Sequence, residues 1–214
     1  MEKTKLICFD IDGTLTEKKS SFAALTEGLG CDVKRAVSVY RAVVNGEISI
    51  AEGEGIITRL YRGSGLADKK TIRGMFEKMP MKKEAKELIS CLKDAAWKIY
   101  LVSGGMDMFV EMTAKRLGVD GFYYNSALVF DENGQLEKIA YGGDESLKKL
   151  EQVKGLAENY NLSLADIVFV GDSENDYDAF ASTGRGIAVK PFDEKLGLVA
   201  WKTIDSLLEI KDMI

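Results

Sequence analysis

The 214-residue sequence contains no histidine. That absence excludes Ser-His-Asp and Cys-His triads, histidine-ligated zinc and a histidine proton shuttle, so acid–base work must fall to carboxylates, lysine or tyrosine. Cysteine is scarce: Cys8, Cys31 and Cys91 are odd in number and far apart, which fits reduced thiols rather than a disulfide framework or a zinc cluster. Cys8 falls inside an apolar strand pattern and is expected as a small buried hydrophobe. A basic excess is also lacking. The formal net charge is −5, and nowhere does the chain concentrate the cationic face that phosphate neutralisation on a nucleic acid requires. No apolar run approaches the ~20 residues of a membrane span. The apolar stretch behind Met-Glu-Lys-Thr-Lys is too short for a signal peptide. The expectation is a cytoplasmic protein without nucleic-acid or membrane partners, monomeric or homodimeric.

With 46% apolar and 29% charged residues, the composition is that of an ordinary soluble globular protein. Its length allows one large domain and a small insertion. Short apolar runs at Leu6 to Phe9, Lys98 to Val102 and Ile167 to Val170 alternate with helical segments, which predicts a parallel α/β sheet buried on both faces. Further strands are expected at Phe122 to Asn125 and Ile187 to Val189. A hairpin is expected from Val129 to Ala140 around Asn133-Gly134, at a sheet edge or as a flap. Each of the first three runs ends in a polar cluster: Asp10-Ile-Asp12-Gly-Thr, Ser103-Gly-Gly, and Gly171-Asp172-Ser-Glu-Asn-Asp176. Because ligands in open α/β sheets bind beyond the carboxyl ends of the strands, the three clusters should face one crevice.

Between Thr16 and Met81 the strand pattern stops. Phe22, Leu25 and Leu29, then Val33, Val37, Tyr40 and Val44, then Ile50, Ile57 and Leu60 recur at helical spacing, which predicts a small helical insertion. Gly53 and Gly55 sit awkwardly inside its third segment. A helix from Lys82 to Leu92 returns the chain to the sheet.

Asp10 and Asp12, two apart on extended chain, can point the same way. A lone Asp in such a place is usually a turn former or helix cap, but two acidic strand-end clusters together are not explained by capping. Four carboxylates meeting at one point repel severely unless a cation joins them, and oxygen ligands select a hard one, best Mg²⁺. Ser103-Gly104-Gly105, opening the amphipathic segment from Met106 to Leu117, offers a hydroxyl and backbone N–H groups to an anion.

The ordered set Asp10-Ile-Asp12-Gly-Thr14, Ser103 after an apolar strand, a Lys opening a helix and Gly171-Asp172-Ser-Glu-Asn175-Asp176 resembles the haloacid dehalogenase-like phosphatases, over residues 5 to about 190. The resemblance implies a Rossmann-like parallel sheet core, residues 1–15 and 82–214, with a helical cap, residues 16–81. It implies hydrolysis of a small phosphate monoester through an aspartyl-phosphate on Asp10, with Asp12 as general acid and base. Mg²⁺ would be held by Asp10, the Asp12 backbone carbonyl and Asp172, with Asp176 supporting the site, while Ser103, Gly104, Lys149 and Asn175 would bind the phosphoryl group. Lys148 and Lys154 compete for the lysine role; Lys149 is preferred because Val153, Leu156 and Ala157 follow it at the matching apolar spacing.

Ser103-Gly-Gly-Met106-Asp107 and the position of the cap are similar to the phosphoserine phosphatase branch. That branch carries a Glu after the first motif and a later cap Arg to read its substrate's ammonium and carboxylate. Here Lys18 and Lys19 occupy the first region and Ile57 lies near the second, with Arg59 and Arg62 displaced. Lys19 and Arg59 would suit an anionic or polyhydroxylated ester. A phosphomutase, a non-catalytic metal- or phosphate-binding regulator, and a receiver-like module are the competing readings.

Overall fold

The computed structural model describes residues 4–18, 20–191 and 194–213. The three apolar runs form strands β1 (Leu6–Phe9), β2 (Lys98–Val102) and, following the hairpin described below, β6 (Ile167–Gly171). All four residues of β1 and all five of β6 are buried, as expected of strands covered on both faces. With β3 (Gly121–Tyr123), β7 (Gly186–Val189) and β8 (Lys202–Ile204), they build a six-stranded parallel sheet ordered β3-β2-β1-β6-β7-β8. β1 lies between β2 and β6, with Phe9 opposite Leu101 on one side and Val170 on the other. The carboxyl ends of the three motif strands are therefore adjacent. β8 was not foreseen: it is three residues long and two of them are exposed.

Four helices occupy the insertion: α1 (Ser21–Gly28), α2 (Val33–Val44), α3 (Ile50–Gly63) and α4 (Lys69–Glu77). Ser20, Asp32, Ser49 and Asp68 cap them, each side chain accepting a backbone N–H of the first turn. Gly53 is tolerated inside α3 because a Cβ there would collide with Val43 of α2, so its absence allows the two helices to approach closely. The stripe on α2 does not enter the core: Tyr40 and Val44 are exposed, and Val37 is half-buried. The insertion leaves and rejoins the sheet at a neck where Thr16 pairs with Met81, Glu17 N donates to Pro80 O and Lys82 N to Leu15 O.

The return helix is α5 (Lys83–Asp94); α6 (Asp107–Leu117), α7 (Glu145–Tyr160), α8 (Tyr177–Thr183) and α9 (Glu194–Val199) complete the layers. The expected hairpin is β4 (Ser126–Phe130) and β5 (Leu136–Tyr141), a separate antiparallel pair rather than an edge of the main sheet. It packs against the insertion: Ile139 N donates to Thr58 Oγ1 and Tyr141 N to Glu54 Oε1, both on α3. Among the described residues all three cysteines are free, with Cys8 buried.

Candidate active site

Each polar cluster hangs from the end of a fully paired strand. Asp10 follows β1, where its N–H donates to Val170 O, and its carboxylate is buried at the sheet's edge. Lys149, on the second turn of α7, reaches it at 2.9 Å and also donates to Asp176 Oδ1 at 2.6 Å and Asn175 Oδ1 at 3.0 Å. Lys149 is only 1% exposed because Val153, Leu156 and Ala157 continue its helix face into the core. Lys148, one residue away, pairs with Glu151 in solvent.

One carboxylate oxygen from each of Asp10, Asp172 and Asp176 lies within 4.8 Å of the others, all three buried. Burial most strongly raises the Asp10 carboxyl, Lys149 opposes it, and Asp176 and Asp172 raise it further. Burial alone would lower the Lys149 ammonium, but Asp10 and Asp176 hold it above its ordinary value. Three carboxylates facing one ammonium leave an acidic cluster whose chemistry suits a hard cation such as Mg²⁺.

The other acidic residues separate by environment. Asp176 Oδ2 accepts the N–H groups of Asp172 and Ser173 while its Oδ1 takes Lys149, so it anchors the loop as well as the cluster. Thr14 Oγ1 lies 3.4 Å from Asp172 Oδ1. The Asp12 carboxylate lies apart from this cluster of three, which leaves its backbone carbonyl as the group expected at the metal. It turns to Ser21 at the start of α1, where Oδ2 accepts Ser21 N at 2.8 Å and Ser21 Oγ at 2.6 Å. Its other oxygen, Oδ1, is buried without a hydrogen-bond partner among the described residues. Burial pushes this carboxyl up to about 6, against the opposing Ser21 hydrogen bonds.

Ser103, buried at the end of β2, accepts Gly105 N at 3.1 Å on its Oγ. Gly104 has no room for a Cβ because the Glu145 carboxylate covers it. Glu145 Oε2 accepts Asn175 Nδ2 at 2.8 Å, and Oε1 accepts the Tyr40 hydroxyl at 3.0 Å from α2. Burial first, then Glu145, raises the Tyr40 phenol, which keeps it a donor.

Asp10, Asp12, Ser103, Gly104 and Asn175 all line a cavity of about 480 Å³ beneath α1, α2 and α3. Arg59, an expected recognition residue, does not join them. Arg59 is exposed and is not among the lining residues, because it faces away from the α3 side that carries Gly53, Glu54 and Ile57; Lys19 lies outside the described residues. Ser21, Tyr40 and Glu145 were not anticipated. Glu145 stands one helical turn before Lys149, a spacing that carries it to the same site; Tyr40 gave no such signal, since its contact spans 105 positions.

The chain matches the haloacid dehalogenase-like hydrolase family over residues 7–181 and belongs to it. Within that family it lies in the phosphoserine phosphatase-like branch and is a phosphoric monoester hydrolase. It is 30% identical to a phosphoserine phosphatase of Lactococcus lactis, covering 86% of this chain and 82% of that one, and 31% identical to one of Idiomarina loihiensis, covering 86% and 80%. A phosphoserine phosphatase of Archaeoglobus fulgidus is 30% identical over 86% of this chain, which spans about half of that longer protein, 52%. The fold agrees with a solved phosphoserine phosphatase bearing a phospho-aspartyl intermediate analogue, at TM-score 0.78 and 24% identity over the full length of both chains.

Proposed function

We propose that the chain is a Mg²⁺-dependent phosphatase that transfers the phosphoryl group of a small monoester to Asp10 and then to water. The observation that carries this reading is the contrast between two acids two residues apart. Asp10 is held by Lys149, whereas Asp12 keeps one buried oxygen without a partner among the described residues.

In this reading Asp10 Oδ2 attacks phosphorus while Oδ1 stays fixed by Lys149. Protonated Asp12 gives its proton from Oδ1 to the leaving oxygen and, as carboxylate, then takes one from the water that attacks the aspartyl-phosphate. Ser103, the Gly104 backbone and Asn175 orient the phosphoryl oxygens. Asp10, the Asp12 carbonyl and Asp172 would hold Mg²⁺, with Asp176 bracing them. When bound, the ion supplies positive charge to the carboxylates and phosphoryl oxygens. Helices α1–α4, residues 16–81, act as the cap that excludes water.

We place the protein in the cytoplasm as a monomer or homodimer acting on a soluble ester; among the described residues no helix is long and apolar enough to cross a membrane. Phosphoserine, named in the relatives, is one candidate substrate.

The test is inorganic phosphate release from a panel of monoesters by wild type and Asp10→Asn, with Mg²⁺ or EDTA, together with mass analysis of acid-quenched protein. Turnover that needs both Asp10 and Mg²⁺, with one phosphoryl group captured on the Asp10 peptide, is expected. Capture without phosphate release would point to a mutase, and neither would leave a non-catalytic protein.

A further inference from the structure

The cavity is much larger than the phosphoryl group. Its 480 Å³ lies within the range of about 300–1,000 Å³ that encloses a whole small-molecule ligand. Asp10, Asp12, Ser103, Gly104 and Asn175 occupy one end. The remainder is lined by Phe22 of α1, Val37 and Val43 of α2, Ile57 of α3, Met106 at the start of α6, and Ile139 of β5. Across it Phe22, Tyr40 and Tyr141 form an aromatic row, with ring centroids 6.2 Å and 6.0 Å apart and the last pair edge-on.

The charges in this space are negative and already engaged. Glu54 accepts Tyr141 N at 2.7 Å, and Glu145 accepts both Tyr40 and Asn175. The one cation among the described lining residues is Arg41, which is solvent-exposed. Lys149 is committed to Asp10, Asp176 and Asn175. A carboxylate on the ester carbon or one carbon beyond it would therefore sit against apolar walls and two like charges, with no free buried cation among the described residues to meet it.

We propose that this site selects phosphate monoesters of uncharged alcohols with an aromatic or branched aliphatic body, and discriminates against esters bearing a carboxylate on the ester carbon or one carbon beyond it. The inference rests on the phosphatase reading above and departs from the anionic or polyhydroxylated ester expected from Lys19 and Arg59. The apolar walls and aromatic row bind the leaving group, and Glu145 with Tyr40 tolerates a hydroxyl at its edge but not a second anion.

The test compares kcat/KM for benzyl phosphate and 3-methylbutyl phosphate with phosphoserine and phosphoglycolate, in Mg²⁺, for wild type, Asp10→Asn, Arg41→Gln and Val37→Arg. All four leaving groups are primary alcohols, so chemical reactivity does not favour the neutral pair. The neutral esters should lead by roughly tenfold or more. Arg41→Gln should keep their turnover, and Val37→Arg, which puts a cation into a half-buried wall position, should narrow the gap by about fivefold. Asp10-dependent turnover in which the acid-bearing esters equal or exceed the neutral ones overturns the inference alone. A ratio unmoved by Val37→Arg, or neutral-ester turnover lost in Arg41→Gln, also overturns it. Absence of Asp10-dependent release from every ester would instead overturn the phosphatase reading beneath it.

Discussion

Lys149 Nζ donates to Asp176 Oδ1 at 2.6 Å with both groups essentially sealed from solvent, and the same ammonium holds Asp10. One cation thus ties the first motif to the fourth across 139 and 27 positions of chain.

Lys149→Met should leave three buried carboxylates without their counter-charge. Breaking a buried pair in this way costs about 3–5 kcal/mol, measured by urea unfolding of metal-free protein. The sign follows from Asp10. Its folded carboxyl stands above the usual range, so its unfavourable contribution is absent at low pH and grows as pH rises past the unfolded value. The deficit of Lys149→Met should therefore shrink on acidification. Activity should be lost at every pH.

Asp12 should titrate near 6 in metal-free protein, read by carboxyl ¹³C NMR. Because the Ser21 hydrogen bonds lower this value against burial, Ser21→Ala should move the midpoint upward. A folded value above the ordinary 3.8 favours folding below that pH, an advantage lost as pH rises through about 6. The variant should lose more of its stability across that window than the wild type.

Gly13→Ala should damage the site rather than the core. Gly13 has φ +80°, and a Cβ there would collide with the Asp172 carboxylate. The left-handed backbone costs a substituted residue about 1–2 kcal/mol. Displacing Asp172 should lower kcat/KM by about 10²-fold and abolish the thermal stabilisation expected of Mg²⁺ on the wild type.

Tyr40→Phe removes the hydroxyl that spans α2 and Glu145 but keeps the ring contacts to Phe22 and Tyr141. The loss of one hydrogen bond, about 0.5–1.5 kcal/mol, should raise KM by about two- to tenfold with a smaller change in kcat. Glu145→Gln keeps an acceptor for Tyr40 but turns its amide NH2 toward Asn175 Nδ2, another donor, so it should raise KM at least as much.

The core of this site was legible in the sequence because each part lies within a few residues of a strand end. Asp10, Ser103 and Asp172 are placed by β1, β2 and β6, and a parallel sheet with β1 at its centre brings those ends together. Lys149 could be chosen over Lys148 because its apolar followers match the pattern of the family the sequence resembles. The cap resisted such reasoning. Its α2 stripe, which by periodicity belongs to a core, instead borders the cavity and solvent, since a helix lid buries less of its apolar face than a helix lying on the sheet. Arg59 sits on the outer side of α3, a helix too irregular in pattern for its inner face to be told from composition. The hairpin's partner was equally hidden, because Thr58 and Glu54 meet it 81 and 87 positions away.

That hairpin changes how the cap can move. Besides the Thr58 and Glu54 bonds, Lys69 N donates to Gly134 O and Leu136 N to Ala67 O, while on its other side Leu128 N donates to Asp107 of α6. A swing about the Thr16–Met81 neck alone would shear the four bonds between hairpin and cap. A motion that preserves them must carry β4 and β5 along and place a second pivot at the hairpin's root, where Gly142 N meets Asn125 O just before Glu145. Opening the cavity then tugs on the segment that leads into Glu145 and Lys149, so opening of the cavity and alignment of the Lys149 ammonium become one mechanical event.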